Sequence, residues 1–206
     1  MPIQQRSQLK GFGQSSNEKY IVEDIHDIVT EVNSKPYKVF TALLTQSGGD
    51  DPFEIDGDNG PLVKGVTYYI NTNPDNFDLT IYGAPNNNAG TYFIANQDVA
   101  TLPYTYSLQL YYNTGAPVVT VLENTIGNVW FIYNNVGSYS AYFQDDFLPN
   151  KSLIFIGQPT WDGGEYYFQS GLDGVGPIFL VTKYIPDNTQ INGAFLNTPI
   201  EIRVYN

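Results

Sequence analysis

The sequence of 206 residues contains no cysteine and a single histidine, His26. The absence of cysteine excludes disulfides, thiolate metal sites and a cysteine nucleophile. The lone imidazole falls between acidic residues of a predicted helix, and no nucleophile-elbow motif accompanies it. The sequence also lacks a phosphate-binding glycine loop with a following lysine, and it lacks metal-ligand histidine spacing. It therefore predicts a protein that is not an enzyme and that uses no cofactor or metal.

Charged residues are scarce, at 15% of the chain, where about 25% is usual. Much of the polarity comes instead from asparagine and from 17 tyrosines. The net charge of −12 is unevenly placed. Residues 1–49 carry five basic and five acidic groups, whereas residues 50–206 carry four basic and sixteen acidic groups. Because an acidic body repels phosphate backbones, we expect no nucleic-acid partner.

Long apolar runs are missing as well. No stretch approaches the roughly 18 apolar residues that would span a membrane. The opening MPIQQRSQLKGFGQSS has no apolar core of the kind found in signal peptides. We therefore expect no membrane partner and synthesis as a soluble protein in the cytoplasm.

One helix is predicted, before Pro36. Its apolar residues recur at the spacing of a heptad seam, and they are Ile21, Ile25, Ile28 and Val32. β-Branched residues at both seam positions favour three or more strands in a coiled coil. The seam covers only about one and a half heptads, so an amphipathic helix packed on its own domain is an equal alternative. Residues 1–35 are thus predicted to be an anchor with a short helix and an oligomer seam.

Residues 36–206 predict a β-rich body. Short runs rich in valine, isoleucine and aromatic residues alternate with asparagine, glycine and proline clusters about every 8–12 residues. This spacing indicates an antiparallel β-sandwich or jelly-roll-like domain. The segment 50–64, DDPFEIDGDNGPLVK, breaks the rhythm and is interpreted as a surface loop. It opens a predicted insert over residues 50–113.

Three groups of side chains suggest weak site hypotheses. Alternating acids at positions 54, 56 and 58 suit a Ca²⁺ ligand set, but they do not match an EF-hand, and a solvated loop explains them better. Asp145, Asp146, Asp162 and Glu165 could be imagined as a glycosidase carboxylate pair, although turn acids are the simpler interpretation. Among the aromatic residues, the candidates for facing a ligand are Tyr68, Tyr111, Trp130 and Trp161. Adjacent aromatics on a strand point to opposite faces, so each tyrosine pair should place one ring inside and one outside.

Several short phrases, taken in order, resemble a module of virion structural proteins of tailed bacteriophages. They are YKVFTALLTQSGG, then GAPVVTVLENTIGNVWFIYNNVGSYSAYF, then FLPNKSLIFIG. The intervening GVTYYI and GAPNNNAGTYFIA resemble an insert that occurs between the two halves of that module. The likeness covers about residues 37–156. The opening RSQLKGFGQSS weakly resembles the N-terminal attachment region of phage fibres.

The resemblance implies assembly and surface display on a particle. It leads to the expectation of a head fibre or capsid-surface appendage, located in the virion, that forms a homotrimer and contacts other virion proteins through its N-terminus. The alternative is a tail-fibre adhesin that recognises host surface glycan through its exposed tyrosine and tryptophan residues. A third hypothesis, a depolymerase acting on that glycan, would need the carboxylate pair.

Overall fold

The computed structural model describes residues 36–46, 52–56, 60–102, 107–158 and 165–206. From Tyr37 onward these residues belong to one compact unit. Several sequence predictions fall outside the described residues. These are the N-terminal helix with its seam residues Ile21, Ile25, Ile28 and Val32, and the candidate aromatic Trp161.

The described part of the chain forms twelve strands. They are β1 (Tyr37–Thr45), β2 (Pro52–Asp56), β3 (Thr67–Thr72), β4 (Tyr92–Ile94), β5 (Gln109–Asn113), β6 (Val118–Asn124), β7 (Val129–Asn135), β8 (Ser138–Phe143), β9 (Ser152–Ile156), β10 (Tyr166–Leu172), β11 (Ile178–Tyr184) and β12 (Thr198–Tyr205). One turn of 3-10 helix, Thr80–Tyr82, is the only helix in this part.

The strands form three antiparallel sheets of four strands each. The first sheet has the order β6-β1-β12-β9, and the second has the order β10-β11-β8-β7. The third has the order β2-β5-β3-β4. The prediction of a mainly β, antiparallel sandwich body is thereby confirmed.

The segment 50–64 is not a loop throughout. Pro52–Asp56 forms β2, which pairs with β5 from Pro52 opposite Asn113 to Asp56 opposite Gln109. Phe53 and Ile55 alternate with Glu54 and Asp56, which is the apolar–polar alternation of a strand. Its proline stands at the first position, where a strand tolerates the missing N–H. The charge and proline content of the segment favour a loop, and for this reason the sequence does not reveal β2.

The first and second sheets enclose the main core. Alternate residues point inward in strands such as β7, where Phe131 and Tyr133 are buried while Trp130 and Ile132 are half-buried. Fully buried residues of this core include Phe40, Leu44, Phe131, Tyr139, Leu180, Phe195 and Ile202. Each large apolar side chain buried in this way contributes roughly 1.5–3 kcal/mol of transfer free energy. The sandwich therefore rests on its own apolar interior.

The third sheet has a separate core on one of its faces. Side chains from its strands and from the segments between them bury one another there, and they are Leu62, Tyr68, Ile70, Leu79, Ala84, Phe93, Ala95, Leu102, Leu108 and Leu110. In sequence the sheet lies between β1 and β6, which pair directly with each other. The protein thus has two apolar cores, one in the sandwich and one in the third sheet.

The third sheet contacts the sandwich where β4 lies beside β7. The Asn128 side-chain amide donates to the backbone oxygen of Tyr92 at 2.8 Å. The backbone N–H of Phe131 donates to the Thr67 hydroxyl at 3.4 Å. Further along, the N–H of Val119 donates to the Gly65 carbonyl at 2.8 Å. These bonds hold the third sheet against the β7 end of the second sheet and against β6 of the first sheet.

Candidate functional site

Five aromatic residues line up across that junction, one from each of five neighbouring strands. We call them the aromatic row, and they are Tyr111 on β5, Tyr69 on β3, Tyr92 on β4, Trp130 on β7 and Tyr142 on β8. Within the third sheet, Tyr69 lies opposite both Tyr111 and Tyr92. Within the second sheet, Trp130 lies opposite Tyr142. The β4–β7 junction joins the two halves into one row.

Four rings of the row, from Tyr69 to Tyr142, lie next to one another, and the rings of Tyr92, Trp130 and Tyr142 are nearly parallel. The Tyr69 and Tyr92 ring centroids are 4.7 Å apart with planes at 44°. Tyr92 and Trp130 are 5.5 Å apart at 3°, and Trp130 and Tyr142 are 5.6 Å apart at 8°. Parallel planes at these distances are offset, because carbon atoms in contact are only about 3.5–4.0 Å apart. Each ring therefore covers only part of the next one, and all of them remain half-buried.

A group of neutral polar side chains lies at the β3–β5 end of the row. The Asn71 side-chain N–H donates to Gln109 Oε1 at 2.9 Å and to the Tyr111 hydroxyl at 3.4 Å. On the other side of Tyr69 and Tyr111, towards Thr67 and Asn113, a cleft of about 270 Å³ opens. Its lining includes Tyr69, Tyr92, Tyr111 and Ile132. The Tyr69 and Tyr111 rings thus have the amides on one side and the cleft on the other.

Electrostatics keep the centre of the row uncharged. Burial raises the pKa of the Tyr92 hydroxyl, and the neighbouring Tyr69 and Tyr142 hydroxyls raise it further. The indole Nε1 of Trp130 is buried and has no hydrogen-bond partner among the described residues. The row is therefore an uncharged surface at neutral pH, with the amides of Asn71 and Gln109 at one end.

Two of the aromatic residues predicted to face a ligand belong to this row, namely Tyr111 and Trp130. Tyr68 does not, and the expectation for it is corrected. It is only 1% exposed, and its ring lies in the third-sheet core. Its neighbour Tyr69 takes the outer position, because adjacent strand residues face opposite sides.

Tyr69, Tyr92 and Tyr142 belong to the row although no prediction named them. Adjacent strand residues point to opposite faces of the sheet, so one ring of Tyr68 and Tyr69 had to lie on the outer face. The sequence could therefore have indicated Tyr69. Tyr92 and Tyr142 carry no local signal, since their positions depend on which strands become neighbours.

The described carboxylates of the glycosidase hypothesis are turn residues. Asp145 and Asp146 are exposed in the turn after β8, where Asp146 adopts φ 59°. Glu165 is exposed just before β10, and Asp162 lies outside the described residues. No group of three or more histidine, cysteine or acidic residues that could hold a metal ion occurs in the described part of the chain.

A second, larger cleft of about 530 Å³ lies between the third sheet and the β6–β7 connection. Its asparagines already serve the fold. Asn124 Oδ1 accepts the N–H groups of Ile126 and Gly127, both at 3.1 Å. Asn128 holds the Tyr92 carbonyl, as described above. The cleft is therefore a packing gap whose polar groups are largely used.

The outer face of the first sheet carries a different aromatic group. The Arg203 guanidinium lies 4.7 Å from the Tyr37 ring centroid and 5.1 Å from that of Phe155. It also forms an ion pair with Glu201. Phe155 remains 48% exposed. Here the rings hold a cation of the protein itself, which distinguishes this face from the aromatic row.

No helix in the described residues is long and apolar enough to cross a membrane. Comparison of the chain with protein-family models, with curated proteins and with solved structures finds no match.

Proposed function

We propose that the protein is a structural component of a tailed-phage virion, a head fibre or another capsid-surface appendage. One observation carries this proposal. The two halves of the resembled module, beginning at Tyr37 and at Ala116, form strands that are direct neighbours. β1 and β6 pair from Phe40 opposite Asn124 to Thr45 opposite Val118. Phrases that lie far apart in sequence thus belong to one physical unit, as expected if the likeness reflects a shared domain.

The body also suits display on a particle. Two apolar cores and three antiparallel sheets give it many backbone hydrogen bonds between residues distant in sequence. Breaking such a body requires cooperative loss of many contacts. In this proposal residues 1–35 contact other virion proteins, the chain assembles as a homotrimer, and the β body projects outward.

Location is tested directly by immunogold labelling. Particles are purified from a lysate in which the chain is produced, and they are labelled with antibody raised against residues 37–206. Gold on the particles is expected, and the mass-spectrometric copy number then separates vertex, hexamer-centre and tail positions. Recovery of the chain only in the particle-free fraction would contradict a virion role.

Assembly is tested by light scattering on the intact chain. We expect a particle of three times the chain mass of 23.0 kDa. The double variant Ile25→Asp/Ile28→Asp should dissociate it into monomers, because charge at the seam is costly to bury, while the far-ultraviolet circular dichroism of the β body is retained.

The matched control is Ile81→Asp/Val175→Asp, which places the same charges at two exposed body positions. This control should remain trimeric. A wild-type monomer at every concentration would overturn the trimer. A lower unfolding midpoint in Ile25→Asp/Ile28→Asp without any change in mass would instead indicate a helix packed on its own domain.

A further inference from the structure

We propose that the aromatic row and the amides beside it form a binding site for a neutral glycan. The inference goes beyond a structural role and does not depend on it, since all residues concerned lie in the β body. A displayed body with such a site would be able to hold on to a carbohydrate-covered surface.

The rings provide the apolar part of the site. A pyranose ring presents C–H groups on one face, and aromatic faces attract them through the negative charge above the ring. Because the rings of the row are offset, each one leaves part of its face uncovered. From Tyr69 to Tyr142, successive ring centroids lie 4.7 to 5.6 Å apart. This spacing resembles the length of one hexose unit, so an oligosaccharide can follow the row.

The amides provide the polar part. Asn71 uses its N–H group on Gln109 and Tyr111, which leaves Asn71 Oδ1 and Gln109 Nε2 without a partner among the described residues. One is an acceptor and the other a donor. Hydroxyl groups of a sugar can satisfy both, because each hydroxyl donates and accepts.

A cleft borders Tyr69 and Tyr111 on the side of Thr67 and Asn113, across these rings from the two amides. Its volume of about 270 Å³ lies just below the range of roughly 300–1,000 Å³ typical of small-molecule pockets. It therefore suits one sugar ring, held between Tyr69, Tyr111 and Ile132. The remainder of the chain would lie along Tyr92, Trp130 and Tyr142.

Charge selects the class of glycan. None of the five row residues is acidic or basic, and neither amide carries charge. The surrounding body is strongly acidic, so it repels uronic and sialic acids as well as nucleic acid. Neutral hexose, deoxyhexose or N-acetylhexosamine chains are the ligands that remain.

The test uses the full-length protein on an array of neutral hexose, deoxyhexose and N-acetylhexosamine oligosaccharides. Polygalacturonate and sialylated oligosaccharides serve as acidic probes. The strongest neutral binder is then measured by titration calorimetry against Tyr69→Ala, Tyr142→Ala and Gln109→Leu. Each change should weaken binding about tenfold or more, since one ring or one paired amide is lost. Gln109→Leu leaves every ring in place and guards against a folding defect in the ring variants.

Phe155→Ala is the matched control, because it removes an exposed ring from the opposite sheet. It should bind as the wild type does, and circular dichroism should show the same β signal in all variants. Binding to no neutral glycan, binding only to the acidic probes, or equal losses in Phe155→Ala and the row variants would each overturn the proposal.

Discussion

Tyr68 joins the third-sheet core to the chain segment that precedes β3. Its hydroxyl accepts the N–H of Val63 at 2.9 Å and donates to the Pro61 carbonyl at 3.4 Å. Burial raises the pKa of this phenol to about 12, although the bond from Val63 lowers it in part. The folded state therefore favours the neutral phenol, and the buried oxygen keeps its partners.

This pKa predicts a loss of stability in alkali. The ordinary tyrosine pKa is about 10, so the stabilising effect of Tyr68 is fully present below that pH and is lost as the pH rises through about 12. Urea unfolding measured from pH 9 to 12 should show a falling free energy of unfolding. Tyr68→Phe should flatten the fall, while costing about 1 kcal/mol at pH 7 for the lost hydrogen bond.

Burial raises the pKa of Tyr139 as well, so Tyr139 also lowers the stability in alkali. It does so equally in the wild type and in Tyr68→Phe, because both contain Tyr139. Tyr184→Phe, at an exposed position, is the control and should keep the wild-type slope. An equal slope in Tyr68→Phe and wild type would show that Tyr68 does not titrate in this way.

At the scale of single elements, the tight turn between β7 and β8 depends on Gly137. Its φ of 64° lies in the left-handed region. A Cβ atom there would lie 2.6 Å from the Ile191 nitrogen and 2.7 Å from the Thr182 oxygen, both in the backbone. The N–H of Gly137 also donates to Asn192 Oδ1 at 2.8 Å. The turn thus fits against the chain that follows β11.

Gly137→Ala should lower the free energy of unfolding by roughly 2–4 kcal/mol, from backbone strain together with overpacking. Gly174→Ala isolates the strain, since Gly174 has φ 77° and nothing lies within 4 Å of its added Cβ. It should lose only about 1 kcal/mol. Chemical denaturation of both variants measures the difference, and equal losses would rule out the steric clash.

The alternation of strand residues carried most of what the sequence could predict. It indicated the sandwich, and it required one ring of Tyr68 and Tyr69 to be buried. It could not decide which, because the answer depends on the segment after β3 that covers one face of the third sheet. The sequence could not predict the aromatic row for a related reason. The row depends on β4 lying beside β7, and these strands are joined by isolated hydrogen bonds such as that from Asn128 to Tyr92. Such a junction leaves no periodic pattern in the sequence.

On the scale of the whole body, the two cores are linked through the β4–β7 junction. Two hydrogen bonds, one from Asn128 and one to Thr67, and the stack of Tyr92 on Trp130 cross it. Trp130 also stacks on Tyr142 of the second sheet. Opening the junction would expose these rings and would leave the Phe131 N–H without its acceptor. We therefore expect the third sheet and the sandwich to unfold together.

A pair of variants tests this coupling. Leu110→Ala empties space in the third-sheet core and Leu180→Ala does so in the sandwich core, where both leucines are fully buried. Each should cost about 2–5 kcal/mol. Urea unfolding of each variant is followed by tryptophan fluorescence and by circular dichroism. Both probes should report one shared transition, and each variant should move its midpoint to lower urea. If Leu110→Ala moved only an early step and left a later one at the wild-type midpoint, the third sheet would unfold independently, and the aromatic row would be a contact between two separately stable parts.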